Sequence, residues 1–215
     1  MRPSPEPVSF WCLPRSILRL LVAAFFLATA IPIASAQSNA VTLPRNLSQL
    51  VSEADSIVLG RVKSVSLEPH PQLRNLMMVV VTIQLEDTVV GQSAGAYTFN
   101  QAAIDKRDQQ QKMGYRVGQH LLLLMMRPSG YGLTSPAGIQ QGRFEIAPGA
   151  DGKLHAVNGF ANAGLFRGMN SQLKSLRSQV SQKTLEQFDG QNSGPLPLED
   201  LKTIIRSLAP KRLPQ

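Results

Sequence analysis

Apolar and polar positions alternate in different rhythms along the chain. Between Pro44 and Ala54, Leu47, Leu50, Val51 and Ala54 recur at i, i+3, i+4 and i+7, which predicts a short helix with one buried face. Ser56 to Leu67 changes to strand spacing. Val58, Gly60, Val62 and Ser64 share one side, and Leu59, Arg61, Lys63 and Val65 the other, with Gly60 placed to allow a bend or bulge. A stiff Glu68-Pro-His-Pro71 turn leads into a long β-branched run, Leu76 to Val90. Gly91-Gln-Ser-Ala-Gly95 then returns the chain into Ala96 to Phe99. Residues 101–114 are polar and read as an exposed loop.

The second half continues in strands and ends in helix. Gln119 to Met126 is apolar enough for a buried central strand, and Gly138 to Ala147 predicts the next, with Phe144 and Ile146 on one face. Pro148-Gly-Ala-Asp-Gly152 is a hairpin turn, because Asp-Gly favours positive φ, and Leu154 to Val157 completes it. After Gly168 the chain turns polar. A Gly-containing spacer at 190–194 precedes Pro197 to Leu208, where Leu198, Leu201, Ile204, Ile205 and Leu208 form one helical stripe. Glu199 and Asp200 in its first turn and Arg206 in its last complement the helix dipole. A stripe this apolar on so short a helix must be buried, on the strands or on a partner, with the strands the favoured cover.

The first 36 residues have a different character. Arg15 and Arg19 flank the start of the apolar run Leu20 to Ala30, followed by Pro32 and then Ala34-Ser-Ala36 before Gln37. Small residues at −3 and −1 fit signal-peptidase cleavage, so 1–36 is expected to be a secretory signal. An uncleaved anchor is the competing reading. The span Ile17 to Ile33 is 17 residues, interrupted by Arg19 and Pro32, and a bilayer core needs roughly 20. Cys12 precedes the apolar run, which does not suit a lipoprotein. The expected localisation is periplasmic or secreted, with no membrane span after cleavage. Removal of residues 1–36, with Arg2, Arg15, Arg19, Glu6, Trp11 and Cys12, leaves 179 residues with 19 basic and 13 acidic, and without Cys or Trp. That excludes a disulfide scaffold, a thiolate zinc site and a cysteine nucleophile.

One combination of motifs is more specific than the strand pattern. Leu50-Val-Ser-Glu-Ala-Asp-Ser-Ile-Val-Leu-Gly-Arg-Val62 is followed by Val89-Val-Gly91, Val117-Gly-Gln-His-Leu-Leu-Leu124 and Leu133-Thr-Ser-Pro-Ala-Gly-Ile-Gln-Gln-Gly-Arg-Phe144. Over about residues 44–160 this resembles a group of bacterial exported proteins. The resemblance implies a small closed barrel of the OB type, similar to the inhibitory domain of tissue inhibitors of metalloproteinases. The expected fold is therefore mainly β: an OB-like β-barrel over 37–160 with a short N-terminal helix, and a linker and C-terminal helical extension over 161–215. Those inhibitors chelate zinc through an N-terminal cysteine, which the exported chain lacks, so their mechanism does not carry over.

Candidate chemistry is sparse. Gly91-Gln-Ser-Ala-Gly95 matches the G-x-S-x-G nucleophile elbow as a string, and His120 and His155 follow Asp105 and Asp108 in triad order. The elbow needs a strand-to-helix turn, whereas Ala96 to Phe99 reads as strand, so a hairpin turn is the better reading of Ser93. His70, His120 and His155 stand 50 and 35 residues apart without a ligand motif, and half-exposed histidines are expected rather than metal ligands. Asn46-Leu-Ser48 is a glycosylation string without meaning in a bacterial setting. Phosphate loops are absent. Lys106, Arg107, Lys112 and Arg116 make a basic rim, but only Tyr97, Phe99 and Tyr115 accompany it, too few stacking rings for single-stranded nucleic acid. The basic excess lies mainly in 161–215, with 8 basic and 4 acidic residues, a solvated face or a contact with an anionic envelope surface. No metal, cofactor or nucleic acid is expected. The leading expectation is a non-enzymatic binding or accessory module that presents residues 101–116 and 128–142 to another envelope or secreted protein. The alternative is a small secreted serine hydrolase using Ser93.

Overall fold

The computed structural model describes residues 43–91, 94–190 and 193–209; the expected signal segment and Ser93 lie outside them. Helix α1, Leu47–Glu53, starts where Asn46 and Gln49 cap each other's backbone reciprocally. The Asn46 amide also donates to the Arg167 carbonyl, so this side chain is spent on the fold. Strands β1 (Ser56–Pro69), β2 (Met77–Val90) and β3 (Ala96–Ala103) form an antiparallel meander. A crossing segment then carries helix α2, Lys106–Gln111, and a tight turn to Gly114. Strand β4 (His120–Met125) pairs with β1 from the other side, and β5 (Arg143–Pro148), β6 (Leu154–Asn158) and the two-residue β7 (Leu196–Pro197) extend the sheet.

The result is one seven-stranded antiparallel sheet in the order β3-β2-β1-β4-β5-β6-β7. Its ladder is open, with β3 and β7 at the edges, so the expected closed barrel is not what the strands form. The physical reason lies in the chain after β4, which adds β5 to β7 outward instead of returning a full strand to β3. Only two single bridges, Asn100 to Leu133 and Met125 to Pro136, tie residues 133–136 to β3 and β4.

Gly60 does mark a bulge. Pairing between β1 and β2 slips at Ile57/Val58, Leu59/Gly60 and Val62/Ser64. A Cβ at Gly60 would stand 2.2 Å from the Gln84 carbonyl oxygen, so β2 approaches closer there than any side chain allows. The strand expected over 138–147 begins only at Arg143, because residues 137–142 leave and rejoin Leu124. The Ala137 amide donates to the Leu124 carbonyl and the Leu124 amide to the Gly142 carbonyl, while Gly138 and Ile139 take positive φ. The loop expected over 101–114 is corrected as well. Strand β3 runs to Ala103, Asp105 accepts from the Asp108 amide to start α2, and Tyr115 just beyond is buried.

Both faces of the sheet are covered. On one, Val58, Val62, Val79, Val81, Ile83, Phe99, Leu121 and Leu123 pack with Tyr115. On the other, Ile57, Leu59, Leu122, Leu124 and Phe144 meet α1 and the C-terminal helix. Double coverage explains why β4 reads as an unbroken apolar run. Helix α3 (Asn170–Leu173), α4 (Gln182–Gly190) and α5 (Leu198–Leu208) complete that second layer. Leu198, Leu201, Ile204 and Ile205 of α5 are buried there, each removal from water contributing about 1.5–3 kcal/mol. Ser181 and Thr184 donate to Asp200 and so fix α4 against α5. No described helix is long and apolar enough to cross a membrane.

Candidate functional site

Three polar clusters interrupt this apolar packing, and each contains groups the sequence left apart. The first arises from the β2 bulge. The slip at Leu59/Gly60 makes Glu86 the extra residue, and its carboxylate meets Arg61 Nε at 3.1 Å and His120 Nε2 at 2.8 Å. The His120 nitrogen is near enough for a hydrogen bond but poorly aligned for one, and no other described residue bonds to it. Burial pushes the His120 pKa below its ordinary 6.5 and Arg61 adds to this, outweighing the opposing pull of Glu86. Next along β2, Asp87 accepts from Lys202 (2.8 Å) and Arg206 (3.1 Å) of α5. The Lys202 hydrogen bond holds the Asp87 carboxyl below its ordinary 3.8. Burial works against the Lys202 charge, yet its bonds to Asp87 and Glu199 prevail and raise its pKa.

The second cluster joins the β5–β6 hairpin to α4. His155 Nε2 lies 3.0 and 3.1 Å from the two Asp151 oxygens, and its Nδ1 lies 3.3 Å from Lys183 Nζ. An ammonium can only donate, so Nδ1 is the acceptor and Nε2 carries the proton toward Asp151. Gly149 makes room for the ring, since a Cβ there would stand 2.6 Å from His155 Cδ2.

The third lies on the sheet face lined by Val58, Val79 and Leu121, the inner face. Arg143 is buried, donates to the carbonyls of Met113 (2.9 Å) and Gly114 (2.7 Å), and stacks 4.0 Å over the Tyr115 ring. The Tyr115 hydroxyl donates to Gln101, and burial pushes its pKa up to about 12 against the pull of Arg143.

The histidines are thus not half-exposed as expected: His70, His120 and His155 are all buried. His70 accepts at Nδ1 from the amides of Gln72 and Leu73, and its Nε2 lies 3.0 Å from the Tyr131 carbonyl oxygen, linking two turns. The three are held by separate partners. The acids nearest His120 and His155 are Glu86 and Asp151, whereas Asp105 caps α2. Among the described residues no three His, Cys, Asp or Glu side chains gather as a metal site. Sequence reasoning passed over Arg143, Lys202, Glu86 and Lys183. Strand parity puts Arg143 opposite Phe144, and only a cover over both faces buries it. Comparison with protein families, with characterised proteins and with solved structures finds no match.

Proposed function

We propose that the protein is an exported, non-enzymatic binding or accessory module that docks another envelope or secreted protein through residues 101–116 and 128–142. The observation that carries this reading is where large apolar side chains reach solvent. Of the six described residues that do, Ile104 (83 % exposed) and Tyr131 (57 %) stand on these two segments, and Val117 (68 %) directly follows the first. Exposed apolar side chains on adjoining loops are what a protein interface uses. The second segment adjoins the start of the first at Asn100, which bridges Leu133 and accepts from the Thr134 amide. The same bridge, with Met125–Pro136, supports reading β1 to β4 as a rolled OB-type half-barrel. The signal-like sequence of residues 1–36 supports a periplasmic or secreted location.

Crosslinking in the native envelope fraction tests the face. A specific adduct formed by the parent and lost in Ile104→Asp and Tyr131→Asp, with parental melting temperatures, is the expected result. An adduct unaffected by either substitution removes the proposed face. Fluorophosphonate labelling that disappears in Ser93→Ala replaces the reading by a serine hydrolase.

A further inference from the structure

The guanidinium of Arg143 is in an unusual position for a buried charge. Arginine is seldom buried unless a carboxylate neutralises it. Here the nearest one, Glu145, is 4.0 Å away and more than half exposed. The two closest oxygens are instead the Met113 and Gly114 carbonyls, one on each terminal nitrogen, at 2.9 and 2.7 Å. Gln119 Oε1 adds a weaker contact at 3.4 Å. Two oxygens facing the two arms of one guanidinium reproduce the fork that a carboxylate presents.

The backbone is distorted where it does this. Lys112, Met113 and Gly114 take φ of 48°, 55° and 74° in succession. L-residues visit the left-handed region singly and at a cost, and a run of three with two side chains is disfavoured. Nothing buried in α2 offsets that cost, since its six residues bury no side chain. Met113 and Tyr115 rest on the inner core, with the Tyr115 ring edge-on to Phe99 at 5.6 Å.

We propose that Arg143 is the anchor of a carboxylate site which the chain's own Met113–Gly114 turn fills as a surrogate, and that the ligand is an amphiphilic monocarboxylate. A real carboxylate neutralises the guanidinium and lets the left-handed run relax. Lifting the turn also uncovers the Met113 and Tyr115 contacts with the inner core, so the incoming molecule must carry an apolar body to cover it again. Met113 and Gly114 lie within one segment of the proposed partner-binding face, but the site needs neither Ile104 nor Tyr131, so the decanoate test and the crosslinking test can fail separately.

Decanoate is the probe, with decanol and acetate as the two half-molecules. Titration calorimetry and amide NMR of the purified protein should show decanoate binding with shifts concentrated at residues 112–119. Decanol and acetate should bind at least tenfold more weakly. Arg143→Gln should remove binding. Lys112→Gly relaxes one left-handed residue in the closed turn, so it should melt no lower than the parent yet bind decanoate about fivefold more weakly. That arm stands even if Arg143→Gln fails to fold. Equal binding of decanol, absence of decanoate binding, shifts elsewhere in the molecule, or parental affinity in Lys112→Gly each overturns the site.

Discussion

The two faces of the sheet are closed by different means. The inner face is covered from nearby in sequence, by the crossing segment between β3 and β4, whose Tyr115 and Met113 reach the core through a left-handed turn held by Arg143. The outer face is covered from far away, by α1 and α5, whose sequences lie more than 100 residues apart yet share one apolar cluster. Local closure loses little chain entropy but depends on a conformation L-residues resist. Distant closure uses relaxed helices, and depends on burying whole side chains from both ends of the described chain. Damage to the outer cover should therefore act through lost burial, and damage to the sheet through lost backbone fit.

The largest expected effect is on the outer cover. Ile204→Asp removes a fully buried side chain and puts a charge in its place, and should cost about 4 kcal/mol or more. Urea melts like the parent's would mean that α5 is not part of the folded core. Gly60→Ala tests the sheet between the faces. With its Cβ 2.2 Å from the Gln84 carbonyl, the substitution should cost roughly 2–3 kcal/mol, read from thermal melting. An unchanged melting temperature would deny the close approach of β1 and β2.

Smaller effects sharpen the charged seam between α5 and β2. Lys202→Met should lower stability near neutral pH by about 1 kcal/mol, because Arg206 still reaches Asp87. The depressed Asp87 pKa contributes stability that is present above its ordinary 3.8 and lost as pH falls through the folded value. The acid limb of the parent should accordingly be steeper than that of Lys202→Met. Identical limbs would mean that this pair does not set the Asp87 pKa. His120 gives the smallest change. Its folded pKa lies below 6.5, so the unfolded chain binds more protons and stability declines as pH drops below about 6.5. Subtracting the pH profile of His120→Gln from that of the parent should leave this decline. A difference profile that is flat between pH 7 and 5 would rule out His120 as its source.

The order of apolar residues already contains much of the fold. The helical spacing of Leu47, Leu50, Val51 and Ala54, and of Leu198, Leu201, Ile204 and Ile205, predicts α1 and the buried stripe of α5. The alternation around Gly60 anticipates β1 and its bulge. The Asp-Gly turn at 151–152 anticipates the hairpin of β5 and β6. These follow from local geometry, because side-chain periods of 3.6 and 2 are properties of a single segment. What covers each face is not such a property. The sheet stays open because β5 to β7 extend it outward, and periodicity has no term for which strand pairs with which. Arg143 and the three histidines are polar by composition but buried in the folded chain. The meetings of Glu86 with His120, Asp87 with Lys202, and Lys183 with His155 likewise depend on long-range contacts that only the folded chain makes.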